Sequence, residues 1–289
     1  MVSRETIPTP QTGRLVRAAT LLAALLALLA AVLPRPALAS TVLITGANSG
    51  IGLEFAKEYA ALGWTVIATD RRAVTPKSLL DLAARYRNVR IERLDVTSVA
   101  EAAALAKKLK GVPIDVLINN AGVYNDRKRC RPDDVYCPGD WSVETFGHLE
   151  FSLMDTIMAV NIKGPLIVSQ ALYPNVLLGK QKKIIAISSS NGSLGGEYAH
   201  SPGAIFYRMS KAALNREMEA VAVGTKKDGV TVLMLNPGPT LTEHQAYLKK
   251  YPGMLTMRFT VSHMIRTIDD ATLKDSGRFL RYDGKTEPW

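Results

Sequence analysis

Cysteine and histidine are scarce in this chain: 289 residues hold two of the first and four of the second. Two cysteines with no histidine pair beside them make no zinc site, so no metal is expected. No Lys/Arg run with interleaved aromatics is present, which argues against a nucleic-acid partner. Internal repeats, low-complexity tracts and linkers are also missing, so nothing marks a second globular domain. What is present is ordinary for a soluble globular protein: 47% hydrophobic and 21% charged residues. The formal charge is +10, of which the first 39 residues (four Arg, one Glu) supply +3. The remaining +7 favours anionic ligands or a membrane surface.

Those first 39 residues read as a leader. Arg4, Arg14 and Arg17 precede an apolar stretch over 18–33, and a small-x-small end follows at Ala37-Leu38-Ala39. This is the secretory signal pattern. The apolar stretch falls short of the roughly 20 residues of a full span, and no Arg-Arg pair supports a twin-arginine route. An uncleaved membrane anchor, or a helix packed on a cytoplasmic protein, are the alternatives. The expectation is therefore export to a periplasmic or extracellular space, or membrane anchoring, ahead of a cytoplasmic location. Cys130 and Cys137 lie close together in one loop; a disulfide between them fits an oxidising compartment.

From residue 40 to 289 apolar strands alternate with helical segments. The runs Thr41–Thr45, Trp64–Thr69, Val89–Leu94, Ile114–Asn119, Lys183–Ser188 and Val230–Asn236 read as strands, with Arg278–Tyr282 as a seventh at the sheet edge. Continuous apolar strands separated by helices predict a single α/β domain: a Rossmann-type doubly wound parallel sheet with helices on both faces. Ser98 and Glu101 form a capping-box pattern before an Ala/Lys-rich helix. The irregular stretch 123–145 reads as an inserted loop and 240–265 as a substrate lid, with 247–262 mobile. In open α/β sheets such loops line the ligand crevice.

The first strand runs into Gly46-Ala47-Asn48-Ser49-Gly50-Ile51-Gly52, which opens a helix. Glycines permit a tight turn and close approach to a pyrophosphate, and the helix N-terminus offers free amides. The second strand ends at Asp70. Its carboxylate suits the ribose hydroxyls of NAD, whereas Arg71 beside it, followed by Arg72, offers a guanidinium for the 2′-phosphate of NADP. The balance leans to NAD. Asp95-Val96, after the third strand, is placed to meet adenine; helix capping is the alternative for Asp95.

Tyr207 and Lys211 stand four apart in a helical segment, hence on one face. A nearby ammonium is expected to lower the phenol pKa, so that Tyr207 exchanges a proton while hydride moves. Lys211 also suits the nicotinamide ribose. A serine at the end of the fifth strand can hydrogen-bond the substrate oxygen. Asn161, mid-helix before that strand, either holds a water that relays protons to Lys211 or serves as a satisfied helix-bending residue.

Taken together, TGANSGIG (45–52), DV (95–96), NNAG (119–122), Asn161, ISS (187–189), YRMSK (207–211) and NPGPTLT (236–242) resemble the short-chain dehydrogenase/reductase superfamily. The tail DSGRFLRYDGKTEPW resembles its sniffer/C-factor-like carbonyl reductase branch. The resemblance implies an NAD(P)-dependent oxidoreductase acting on a small carbonyl/alcohol substrate. It picks Ser189 as catalytic beside Tyr207, Lys211 and Asn161. It places Asn120, Ala121 and Gly122 at the adenosine half of the cofactor, and Pro237, Gly238 and Thr240 at the nicotinamide. It also implies a homodimer or homotetramer. The chain departs from the branch in Asp70-Arg71 where Cys-Arg is common, in the longer loop after Gly122, and in PTLTEHQAY after Gly238. Two rival functions stand beside this one: a cofactor-binding signalling protein of C-factor type with little turnover, and a membrane-anchored reductase of lipid-like carbonyls.

Overall fold

A computed structural model describes residues 39–124, 141–196, 200, 202–243 and 252–289. The leader up to residue 38, Cys130 and Cys137 lie outside the described residues.

The strands are β1 (Thr41–Ile44), β2 (Thr65–Asp70), β3 (Val89–Arg93), β4 (Val116–Asn119), β5 (Lys183–Ile187) and β6 (Thr231–Asn236). Two short strands, β7 (Thr240–Leu241) and β8 (Leu255–Thr256), pair with each other, and β9 (Phe279–Arg281) follows. Among the described residues, seven strands form one sheet in the order β3-β2-β1-β4-β5-β6-β9. Every pairing in it is parallel. The doubly wound sheet expected from the alternating pattern is thus the one observed, with the last strand at its edge.

Strand side chains alternate between two cores. Val42, Ile44, Val116, Ile118, Ile185, Leu233 and Leu235 face one layer, built from α1 (Gly50–Ala61), α2 (Lys77–Arg85) and a later helix. Leu43, Leu117, Ile184, Ala186, Val232 and Met234 face the other. There α3 (Val99–Lys108), α5 (Gly164–Leu178) and α6 (Ile205–Thr225) supply Leu105, Leu172 and Met218. Both faces being covered explains why the strands read as unbroken apolar runs. Each such side chain buried contributes about 1.5–3 kcal/mol.

Local departures from the sequence reading have physical causes. Ser98 Oγ accepts the Glu101 amide (3.2 Å), as a capping box requires, but the Glu101 carboxylate goes to the Asp95 amide instead (2.8 Å). Of the lid expected over 240–265, residues 244–251 lie outside the described residues, and at its end α7 (Met257–Asp270) buries Val261, Met264, Ile265 and Ile268 against the sheet. Their helical spacing is interrupted by polar residues, which hid it. The helix containing Asn161 is not uniform either. Before α5 comes α4 (Phe151–Met158), and between them Ala159–Lys163 form a π turn.

The chain leaves β1 towards β2 and β3, and leaves β4 towards β5, β6 and β9. A ligand crevice therefore opens at the carboxyl ends of β1 and β4, where the winding reverses.

Candidate active site

Asn120 and Thr45 stitch that crevice together. Thr45 Oγ1 accepts the amides of Asn120 and Ala121, both at 3.0 Å. Asn120 Nδ2 donates to the carbonyls of Thr45 (2.9 Å) and Gly46 (3.1 Å). Gly46 and Gly50 adopt positive φ, +63° and +56°, a conformation that favours glycine. Gly52 is needed for a different reason: a Cβ there would lie 2.4 Å from both Gly46 O and Asn120 Nδ2. Ile51 packs at the edge of the first core. Ser49 starts α1 but its side chain caps nothing. The Gly50 amide instead donates to Glu243 Oε2 at 3.1 Å. A carboxylate oxygen on that amide has the chemistry of a phosphate oxygen, so the cradle fits the pyrophosphate of a dinucleotide.

At the end of β2, Asp70 is buried and its Oδ1 accepts the Arg72 amide (3.0 Å). With the Asn48 amide oriented to satisfy its neighbours, Nδ2 donates to Asp70 Oδ2 (3.1 Å) and Oδ1 accepts from Arg72 Nη2 (3.2 Å). Arg71 and Arg72 are both exposed. The sequence placed both arginines after Asp70, and the structure brings Arg72 to the glycine loop. Asp95 Oδ1 accepts the Thr97 amide (2.9 Å) and hydroxyl (2.7 Å). Burial raises its carboxyl pKa, but the Thr97 bonds with Arg71 and Arg93 outweigh burial and hold it below the usual value. This is a local turn two residues long, and the cap of α3 is Ser98. Val96 is buried against Gly164, whose Cβ would meet it at 2.9 Å.

Asn161 is a fully satisfied clamp. Its Oδ1 accepts the Val123 amide (2.8 Å), and its Nδ2 donates to Val123 O (2.7 Å) and Ser210 Oγ (2.9 Å). Its side-chain amide is thus held by protein partners on both ends. Ser210 Oγ donates in turn to Tyr207 O (2.7 Å), so Asn161 ties the π turn to α6 beside Tyr207. Gly122 lies between them: a Cβ there would be 3.4 Å from Asn161 Oδ1 and 3.8 Å from Lys211 Nζ.

Of the serines after β5, Ser188 turns inward to Asn215 Oδ1 (2.5 Å). Ser189 Oγ accepts the Asn191 amide (3.2 Å) and also acts on the Tyr207 phenol, favouring its ionised form. Gly192 lets this loop rest directly on α6, because a Cβ would sit 2.7 Å from the Lys211 carbonyl carbon. Lys211 is buried; its Nζ donates to Ile187 O (2.8 Å) and lies 5.7 Å from the Tyr207 ring centre. Burial pushes Lys211 down to about 8. Burial also pushes the Tyr207 phenol up to about 12; Ser189 acts in the opposite direction, and Tyr124 and Glu144 add to the rise. The lowered phenol pKa expected from the Tyr–Lys spacing is therefore reversed here. Spacing put the two on one face but said nothing of the desolvation that dominates.

On the far side, Gly238 has φ +68° and lies under the Tyr282 ring. Its amide donates to Asn236 Oδ1 (3.0 Å), and Asn236 Nδ2 donates to Glu287 (2.6 Å). Pro237 O accepts the Thr240 hydroxyl at 2.8 Å. Thr240 is buried and also bonded to Thr260 (2.9 Å). Its hydroxyl thus holds the loop, a correction to its expected place beside the nicotinamide. Thr242 is the threonine that lies against the cradle, 3.7 Å from a Cβ placed on Gly50. Thr242, Glu243, Gly192 and Glu144 were not found from the sequence.

Among solved structures, NADPH-bound carbonyl reductase from chicken fatty liver is 31% identical, with a TM-score of 0.74 over 87% of this chain and 99% of that one. The carbonyl reductase Sniffer of D. melanogaster shares the fold at 24% identity (TM-score 0.69, 87% and 100% covered). A 1-hydroxy-2-glutathionyl-2-methyl-3-butene dehydrogenase from Rhodococcus sp. strain AD45 is 33% identical over 86% of this chain and all of that one. The family model described as short chain dehydrogenase matches residues 40–252. With that match across most of its length and an NAD(P)-type cradle leading to Ser189, Tyr207 and Lys211, the chain belongs to the short-chain dehydrogenase/reductase family of oxidoreductases.

Proposed function

We propose that this enzyme reduces the carbonyl group of a small apolar substrate with NADPH. The observation that carries the reading is Tyr207 with Lys211 behind it, its Nζ 5.7 Å from the ring centre and hydrogen-bonded to Ile187 O at the strand end that leads into Ser189, the phenol being kept protonated by burial. A neutral phenol is poised to give a proton, which is what reduction of a carbonyl requires. Reduced nicotinamide, when bound, supplies the hydride to the carbonyl carbon. Ser189 hydrogen-bonds the carbonyl oxygen and orients it. As the carbon–oxygen double bond becomes single, Tyr207 transfers its hydroxyl proton to that oxygen. Lys211, cationic below its pKa of about 8, stabilises the phenolate left behind. Asn161, through Ser210, holds the turn of α6 on which Tyr207 stands.

Preference for NADPH is supported by Asp70, whose oxygens face the Arg72 amide and Asn48, while Arg71 and Arg72 remain exposed at the ribose end. The NADPH of the chicken reductase agrees with it. Apolar substrates are favoured by Phe151, which meets the Phe206 ring at 5.9 Å, and by Leu194 in the loop after Ser189. Both keep much of their surface exposed on elements that carry the site. A signalling role without turnover needs no convergence of Ser189, Tyr207 and Lys211, so it is the weaker reading.

The test is carbonyl-dependent oxidation of NADPH and NADH by the purified protein across short and long aldehydes and ketones. Tyr207→Phe should bind cofactor and lose about 10²–10⁴-fold in kcat. Arg72→Ala should shift the preference towards NADH, and Asp70→Ala should leave NADPH favoured. A Tyr207→Phe variant with undiminished turnover would remove the proton-donor role.

A further inference from the structure

Glu144 is a buried charged group that this mechanism leaves unused and that touches the helix bearing Tyr207. It ends the 3-10 turn Trp141–Glu144, just before α4, and its side chain is fully buried. Its Oε2 accepts the backbone amide of Tyr207 at 3.0 Å, across 63 residues of sequence. The Phe206 amide also acts on this carboxylate, favouring its ionised form. Its other oxygen, Oε1, is buried without a hydrogen-bond partner.

The helix it meets lacks a cap of its own. The N-cap of α6 is Ala204, in the left-handed region at φ +57°, with no side chain to accept a bond. The first amides of a helix must find acceptors elsewhere. Burying a carboxylate is costly; amide donors and the positive end of α6 offset that cost. Burial raises the Glu144 pKa, and the amide bonds oppose this.

We infer that Glu144 is a positioning residue for Tyr207: a cap delivered from the segment before α4 that fixes the first turn of the catalytic helix. The inference rests on Tyr207 being the proton donor. A carboxylate bonded to the backbone of the very residue that must present its phenol sets where that phenol points. Displacement of a reacting group by about 1 Å can cost ~100-fold in rate.

The experiment compares Glu144→Ala, Glu144→Asp and Glu144→Gln in the full chain. It reads kcat, KM for NADPH and carbonyl, and hydrogen exchange at the Phe206 and Tyr207 amides. Glu144→Ala should speed that exchange about 2- to 30-fold, the range of a lost cap, and lower kcat about 10- to 100-fold with KM for NADPH little changed. Glu144→Asp, too short to reach, should behave like the Ala variant if the latter does not fold. Glu144→Gln keeps an acceptor oxygen and should restore both readouts. Unchanged exchange would remove the cap. Faster exchange with wild-type kcat would leave it purely structural and overturn the positioning role. A Gln variant as impaired as Ala would also overturn it. If the wild type reduces no carbonyl, the proposed function fails, and the exchange measurement still decides the cap.

Discussion

Replacing Gly52 by alanine should damage the protein through a single contact. The added Cβ would lie 2.4 Å from Gly46 O and from Asn120 Nδ2, and 3.1 Å from Asn120 Cγ. Gly52 is not among the residues at positive φ, so the cost is one of contact and not of backbone strain. Asn120 can swing away only by giving up its bonds to Thr45 O and Gly46 O, each about 0.5–1.5 kcal/mol. Gly46 O is backbone and cannot swing; forcing it aside is overpacking, about 1–3 kcal/mol. The total is about 2–6 kcal/mol, a large share of the roughly 5–15 kcal/mol that holds a domain together. At about 2–4 °C per kcal/mol for a domain of this size, the loss is easily read by thermal unfolding. Cofactor Kd, read by fluorescence titration, should rise because the same shift distorts the cradle. Gly63→Ala is the control: it has φ +81° and nothing within 4 Å, so only the left-handed backbone cost of about 1–2 kcal/mol applies, with cofactor binding untouched. A Gly52→Ala protein that melts with the wild type and binds cofactor equally would refute the reasoning.

Three other outcomes are expected. Lys211→Met should abolish most turnover, yet near neutral pH it removes a buried ammonium whose pKa is about 8. The unfolded lysine titrates near 10.5, so the unfolded chain holds the extra proton between about 8 and 10.5, and wild-type stability rises through that window. Thermal melts should show wild type gaining on Lys211→Met by up to about 3 kcal/mol from pH 8 to 10.5; a gap independent of pH would contradict this. Glu243→Gln should tighten NADPH about two- to fivefold, because a competing charge leaves the α1 N-terminus; weaker binding would show that Glu243 assists the cofactor. Export predicts that protein recovered from its native cell starts near Ser40 and carries a Cys130–Cys137 disulfide under non-reducing mass spectrometry; an intact leader with free thiols would count against export.

Much of the fold was legible because each strand must bury both faces. Val42, Leu43 and Ile44 point to alternate cores, and all three are fully buried, so the run could only be apolar. The glycine cradle, Ser189, Tyr207 and Lys211 were legible because each demands a residue type at a set distance from a strand end. What stayed hidden was direction and desolvation. Thr240 and Thr242 look equivalent in sequence, and only the pairing of β7 with β8 turns Thr240 inward. Tyr207 and Lys211 share a face, yet burial moves both pKa values against the simple charge argument. Glu144 meets its partner across a long stretch of chain, and no local pattern encodes such a contact.

The π turn at Ala159–Lys163 makes the site depend on how many residues the chain contains, and not only on which. A π turn carries one residue more than the surrounding α-helix can absorb. Deleting a single residue there would give a more regular helix from Phe151 to Leu178. It would also rotate everything on one side by about 100° relative to the other. Asn161 would then leave Val123 and Ser210, the contacts that tie it to the turn bearing Tyr207. A smoother helix and a working tyrosine are thus competing outcomes of the same stretch, and drift in length here is closed to this chain even where drift in side chains is open.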